Sequence, residues 1–280
     1  MASGHLISGQ MVHWRLTGAA LLLICIYRLR FAWGNPPPYE STSWTAAHAT
    51  FYGGLDASGT EGGACGYGNL NAQGYGTATA ALSPALFNNG LTCGACFEIK
   101  CNFASGGYST KWCHKNAGSI TITGTNLCPA NFARTKDGWC NPPHSHFDMS
   151  YPAFSKLAER VAGIIPVQYR RVGCIKRGGL RFQIDGNPWF NLVLVYNVGG
   201  AGSLNGLAIK GDKTNTWFSM SHNWGQMWQD HNKLVGQSLC FKVTIASGTT
   251  LYVYSLTGPN WSHGSTFYSS QQFDADDIPT

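Results

Sequence analysis

The chain has 280 residues, of which 11% are charged and 13% aromatic, with 35 glycines, 10 cysteines and a formal net charge of +6. That length holds one or two domains. The composition excludes a disordered chain and is light on helix formers, so it reads as a β-rich secreted protein with many turns.

The first segment stands apart. Residues 16–27, LTGAALLLICIY, form an apolar run after His13 and Arg15. The run suits the core of a secretion signal and is too short for a membrane span, which needs about 20 residues. A leader over 1–34 is expected, cut near Ala32-Trp33-Gly34, although Arg28 and Arg30 are what an uncleaved anchor would carry. Loss of 1–34 removes three basic residues and no acidic one, leaving 16 basic against 13 acidic, or +3. So mild a charge gives no case for nucleic acid as a partner.

Cys25 falls in the leader. Eight further cysteines lie between 65 and 174: Cys65, Cys93, Cys96, Cys101, Cys113, Cys128, Cys140 and Cys174. An even number in a secreted segment predicts four disulfides, and spacing alone leaves their pairing open. Cys93-x-x-Cys96 has the look of half a zinc site, but the later cysteines are too widely spaced to supply the other half. Cys240 is left over, on the strand LCFKVTI, where period two puts it opposite the apolar set and leaves it a candidate free thiol.

Residues 41–174 are rich in Gly and Cys. SITITGTNL, 119–127, alternates as a strand does. NPPHSHFDMSYPAF, 141–154, carries a lone carboxylate, Asp148, beside His146. SYPAFSKLAERVAG predicts a helix over 150–163, with Ser150 as N-cap, Pro152 in the first turn, Gly163 as the stop, and Phe154, Leu157, Ala158 and Val161 as one apolar stripe. Asp148 is therefore expected at a loop tip next to a helix N-terminus, which favours its ionised form. Arg170, Arg171, Lys176, Arg177 and Arg181 cluster at the boundary that follows. They read as a solvated linker, with contact to an acidic polysaccharide such as pectin as the functional alternative.

Residues 179–274 change texture. GLRFQIDGNPWFNLVLVYNV predicts two strands around an Asp185-Gly186 turn, and FKVTIASGTTLYVYSL two more around Ser247-Gly248, a spacing that suggests a β-sandwich. Trp189, Trp217, Trp224, Trp228 and Trp261 crowd this half. Sugar rings pack their C–H faces on such rings, so at least two exposed tryptophans and a carbohydrate-binding face are expected.

Several stretches together carry a family resemblance: ATFYGGLDASGTEGGACGYGNL, NNGLTCGACFEIKC, TNLCPAN, GWCNPPHSHFDMSYPAF, RRVGCIKRGGLRF, FNLVLVYNVGGAG and SHNWGQMWQ. Over about 50–273 the chain resembles plant expansins of the alpha type. The resemblance implies an all-β protein: a double-psi β-barrel like that of family 45 endoglucanases over 50–174, a linker over 175–188, and an immunoglobulin-like β-sandwich carbohydrate-binding domain over 189–273, with an acidic tail at 274–280. It implies pairs Cys65–Cys93, Cys96–Cys174, Cys101–Cys113 and Cys128–Cys140. It implies secretion to the cell wall and non-hydrolytic wall loosening by a monomer without cofactor or metal. The partners implied are cellulose and matrix polysaccharides such as xyloglucan.

Asp148 matches the retained acid of those endoglucanases. Where they carry their base, this chain reads ATFYGG, without a carboxylate. An inverting glycosidase needs both groups, about 6.5–9.5 Å apart. Asp148 is thus expected to accept hydrogen bonds from glucan hydroxyls, in a groove lined by Thr50, Tyr52 and Asp56 and with His146 orienting it. Asn126 stands where some bacterial relatives carry an aspartate. Phe190, Trp217, Trp224 and Trp228 are the expected cellulose-docking rings. The competing readings are an endo-β-1,4-glucanase with Asp148 as acid and Asp56 as base, and a barwin-type lectin that would keep its binding when cut at residue 175. Two departures from the family pattern stand out: Gly173, where Pro or Ala is expected, and a chain that runs past the usual QF end into DADDIPT.

Overall fold

The computed structural model describes residues 43–106, 108–134 and 138–279; the expected leader lies outside the described residues. Six strands close a barrel in the order β1 (Thr45–Tyr52), β5 (His146–Ser150), β2 (Thr79–Leu82), β4 (Ser119–Leu127), β3 (Cys96–Cys101), β6 (Ile165–Val172). Two pairs, β1–β5 and β2–β4, are parallel and the others antiparallel. Strand alternation fills the interior: Ala49 and Ile122 with Phe147 and Met149, the next-door residues of β5, are all buried. Four disulfides tie the barrel, Cys65–Cys93, Cys96–Cys174, Cys101–Cys113 and Cys128–Cys140, the pairing the resemblance implied.

Two short helices interrupt the barrel, α1 (Pro84–Phe87) and α2 (Tyr151–Phe154). The helix expected over 150–163 is only α2. Its start is as read, with the Ser150 hydroxyl accepting from the Ala153 N–H. It stops because the Cys101–Cys113 segment competes for the backbone beyond it: the His114 and Glu159 N–H groups bond to Leu157 and Trp112 carbonyls, and Cys113 pairs with Ala158. Tertiary hydrogen bonds override helix propensity here. Val161, expected on the apolar stripe, is exposed.

The second half is a sandwich. One sheet runs β10 (Phe218–Ser219), β9 (Leu204–Gly211), β13 (Leu239–Ile245), β14 (Thr250–Val253). The other runs β11 (Ser221–Trp224), β12 (Met227–Asp230), β8 (Phe190–Tyr196), β7 (Arg181–Asn187), β15 (Ser265–Tyr268). Their inner faces meet at Phe182 and Phe241, ring centroids 4.8 Å apart. The expected linker over 175–188 thus contains a strand. The turn expected at Asp185-Gly186 lies instead at Pro188-Trp189, since Asp185 and Gly186 are paired with Leu192 and Asn191. Proline's fixed φ suits the turn position and leaves Asp185-Gly186 in the ladder.

The five-stranded sheet is covered on both faces. Val193 and Val195 point into the sandwich core, while Leu194, Tyr196 and Met227 belong to the core that includes the barrel. FNLVLVY is accordingly apolar without a polar face. Backbones approach closely at this joint. A Cβ on Gly94 would sit 2.4 Å from the Gly202 carbonyl oxygen, and one on Gly90 2.6 Å from that of Gly225. Both glycines have positive φ, +86° and +94°, a conformation that side chains disfavour.

Candidate functional site

Parallel pairing of β1 and β5 sets His48 beside His146 and Thr50 beside Asp148. Because neighbouring residues alternate faces, His48, Thr50, His146 and Asp148 share the face opposite the barrel core. The Thr50 hydroxyl donates to Asp148 Oδ1 at 2.7 Å and lies 2.9 Å from His146 Nε2. An ionised Asp148 only accepts, so the Thr50 oxygen accepts in turn from an Nε2–H of His146. His146 Nδ1 is buried with no partner among the described residues. His146 thus reaches Asp148 through the Thr50 hydroxyl and not by a direct hydrogen bond among the described residues.

Burial pushes the Asp148 carboxyl above its ordinary value, and the Thr50 hydrogen bond pulls back part of the way. This corrects the expectation of a helix-favoured ionised form. Asp148 sits on a strand, and the helix that follows has only four residues. Burial, then His48 and His144, lower His146 to about 4, so its ring is neutral over the ordinary pH range. Burial raises the Tyr52 hydroxyl, with a hydrogen bond from Asn126 opposing and the Asp148 charge adding to it.

Asn126 is the residue sequence reasoning undervalued. Its amide donates to the Tyr52 hydroxyl oxygen at 3.2 Å, and its Oδ1 accepts from the Ala64 and Leu127 N–H groups. It fixes Tyr52 while leaving that hydroxyl's proton available to a ligand. Asp56 is elsewhere. It is exposed on the loop after β1, accepts from the Ser58 N–H, and is lowered by those bonds. Among the described residues no hydrogen bond links it to Thr50, His146 or Asp148. The site can hold and orient hydroxyl groups, and its hydrogen-bonded network includes one carboxyl, that of Asp148. No group of three or more metal-ligating side chains is found among the described residues.

The expected docking rings do not form one face. Trp228 is buried in the sandwich core and Phe190 is half-buried against His231. Trp224 is exposed, but its ring lies over Gly66 of the barrel, beside a cleft of about 460 Å³ that includes Ala64, Phe87, Leu127 and Pro129. Trp217 does belong to an aromatic row. It packs edge-on to Tyr252 and Tyr254, which stack with centroids 6.2 Å apart and an interplanar angle of 11°. Lys210 lies over the Trp217 ring and Lys242 over Tyr252. The row lies on the outer face of the four-stranded sheet, opposite inward-pointing Phe241 and Val243. The alternation in TLYVY was the signal that could have found both tyrosines.

The basic cluster is not a free patch. Arg170 pairs with Glu98 at 2.6 Å, Arg171 donates to the Ala201 carbonyl and the Ser203 hydroxyl, Lys176 lies over Tyr75, and Arg181 lies over Tyr196 and Tyr268. Arg177 offers its carbonyl oxygen to Asn197. Of these, Arg171 reaches from the barrel to the 201–203 segment before β9, and Arg170 stays on the barrel.

A closed barrel with the Thr50–Asp148 pair on its outer side, followed by a sandwich with an aromatic face, defines a two-domain all-β protein. Two family models match: Lytic transglycolase, a double-psi β-barrel family, over 79–169 and Expansin C-terminal domain over 180–257. Expansin-A13 of Oryza sativa subsp. japonica is 51% identical over 257 residues, covering 91% of this chain and 97% of that one. Expansin-A22 of Arabidopsis thaliana is 50% identical over 233 residues, covering 83% and 81%. Among solved structures, apo Clavibacter michiganensis expansin superposes with a TM-score of 0.61 at 18% identity, covering 82% of this chain and 98% of that one. A point mutant of the same bacterial protein in complex with cellohexaose gives 0.60 at 17% identity, with the same coverage. The chain belongs to the expansin family, in its A group, and is a cell-wall loosening protein.

Proposed function

We propose that this protein loosens the wall outside the cell without breaking bonds, by prying glucan chains from one another. The observation that carries this reading is the Thr50–His146–Asp148 network, a carboxyl to which no second carboxylate is joined among the described residues. Asp148 accepts from a glucan hydroxyl, and Tyr52, held by Asn126, donates to another. Trp217, Tyr252 and Tyr254 dock on cellulose, where flat sugar faces stack on flat rings. Xyloglucan and similar matrix glucans are the polymers displaced, and the protein works as a monomer without a cofactor. The bacterial relative's complex with cellohexaose supports a β-1,4-glucan as ligand. A buried carboxyl with a raised pKa would suit a general acid, yet Asp56, exposed and lowered, makes a poor base.

The test is wall creep under constant load with the bath assayed for new reducing ends. Creep without new ends is expected from the parent. Asp148→Asn should cut creep at least about tenfold, the value of one charge-assisted hydrogen bond, while cellulose retention stays within about twofold. Reducing ends that rise with creep would overturn the reading.

A further inference from the structure

The barrel carries a second cleft, at the end remote from Asp148. Tyr52 ends β1 and Asn126 lies near the end of β4, whereas Trp44 precedes β1 and Ser119 opens β4. The strand between Ser119 and Asn126 spans about 23 Å. The remote cleft encloses about 490 Å³, with Trp44, Lys100, Asn102, Phe103, Lys115 and Gln168 in its wall. No aspartate or glutamate lines it.

Its two lysines are unpaired. The ion pairs among the described residues are His114–Glu159 and Arg170–Glu98, and neither includes Lys100 or Lys115. Glu98 is the acid that feels Lys100, but Arg170 already holds it at 2.6 Å and Ser119 donates to it as well. Trp44 aims Lys100, whose ammonium lies 3.9 Å from the ring centroid, with the Arg170 guanidinium 4.8 Å from the same centroid. That stacking fixes a flexible chain and directs its charge. Phe103, 51% exposed, gives the cleft an aromatic surface.

A neutral glucan has no use for two unpaired ammonium groups. A sugar with a ring face and a carboxylate uses the aromatic surface and the charge together. We propose that this cleft is a second polysaccharide site that takes uronate-bearing chains, with carboxylates on Lys100 and Lys115 and a sugar face against Phe103. It rests on the reading of the protein as a wall-polysaccharide binder, and adds an acidic matrix polymer to the glucan. The acidic-polymer contact looked for at residues 170–181 thus moves to Lys100 and Lys115, which form no ion pair among the described residues, with Arg170 stacked on the Trp44 ring beside Lys100.

The test measures the full-length protein by calorimetry against an unesterified oligogalacturonide and its methyl ester, at low and high salt, with cellulose retention read in parallel. The unesterified chain should bind more tightly than the ester and weaken with salt. Lys100→Gln with Lys115→Ala should weaken it about tenfold, two charge contacts of ordinary surface size. Phe103→Ala should weaken it at high salt too, and cellulose retention should be unchanged in both variants. Parent-like uronate binding by the double lysine variant, equal binding of the ester, or a loss seen instead with Lys210→Ala and Lys242→Ala would overturn the proposal. A parent that failed to retain cellulose would count against the underlying reading, not against this cleft.

Discussion

Asp148 and His146 titrate in opposite senses, and both affect stability. His146 is 1% exposed and its folded pKa, about 4, lies below the ordinary 6.5. The folded state therefore resists binding that proton. The stability this represents is fully present above about 6.5 and is lost as pH falls through about 4, about 3–4 kcal/mol at most. Asp148 is raised, so its contribution is present at low pH and lost as pH rises through its folded value. His146→Gln keeps an N–H for Thr50 and removes the titration. Melting temperatures of the parent should fall between pH 6.5 and 4, and the variant should lose most of that slope; an unchanged slope would assign it to another group. The sequence made Asp148 and His146 visible through HFD, but not their burial. Thr50 was expected in the groove, but its bonds to Asp148 and His146 appear only through the register of two strands almost a hundred residues apart.

Among the elements, β12 and β14 divide the aromatic residues into two jobs. Trp224 and Trp228 are four apart in sequence, yet Trp224 ends β11 and Trp228 lies on β12, across a hairpin with an irregular register. One ring meets the barrel surface and the other enters the sandwich core. Trp228→Ala should cost about 3–5 kcal/mol of stability in denaturant unfolding. Tyr254→Ala should leave stability nearly unchanged and weaken cellulose retention about fivefold, near 1 kcal/mol for one ring contact. If Trp228→Ala instead weakened cellulose binding in a fully stable protein, the division would be wrong. Strand β4 and the Ser247-Gly248 hairpin were legible because alternation and a glycine turn are local signals. The helix past Phe154 was misread because the hydrogen bonds that stop it come from residues 112–114, which no local window contains.

For the whole molecule, the two departures from the family pattern explain each other. A Cβ on Gly173 would lie 1.8 Å from the Ala275 carbonyl oxygen. The tail beyond Phe273 folds back over that spot: Ile278 is buried, and Asp277 accepts from the Thr249 hydroxyl. Gly173→Ala should therefore cost about 1–3 kcal/mol in the full chain, as overpacking does, and become nearly neutral once residues 274–280 are removed. Equal costs with and without the tail would break the link. Sequence comparison revealed both oddities, and only the fold puts them within reach of one another.

The joint itself limits how this protein can be taken apart. Leu194, Tyr196 and Met227 come from the sandwich yet lie in the core that includes the barrel, and Gly94 and Gly202 touch through their backbones. A cut at residue 175 would strip three apolar side chains from that core and leave the barrel a wet, hydrophobic scar. Lost binding after such a cut would report the wound, not a missing carbohydrate site, so the groove and the aromatic row are to be told apart by point substitution and not by the knife.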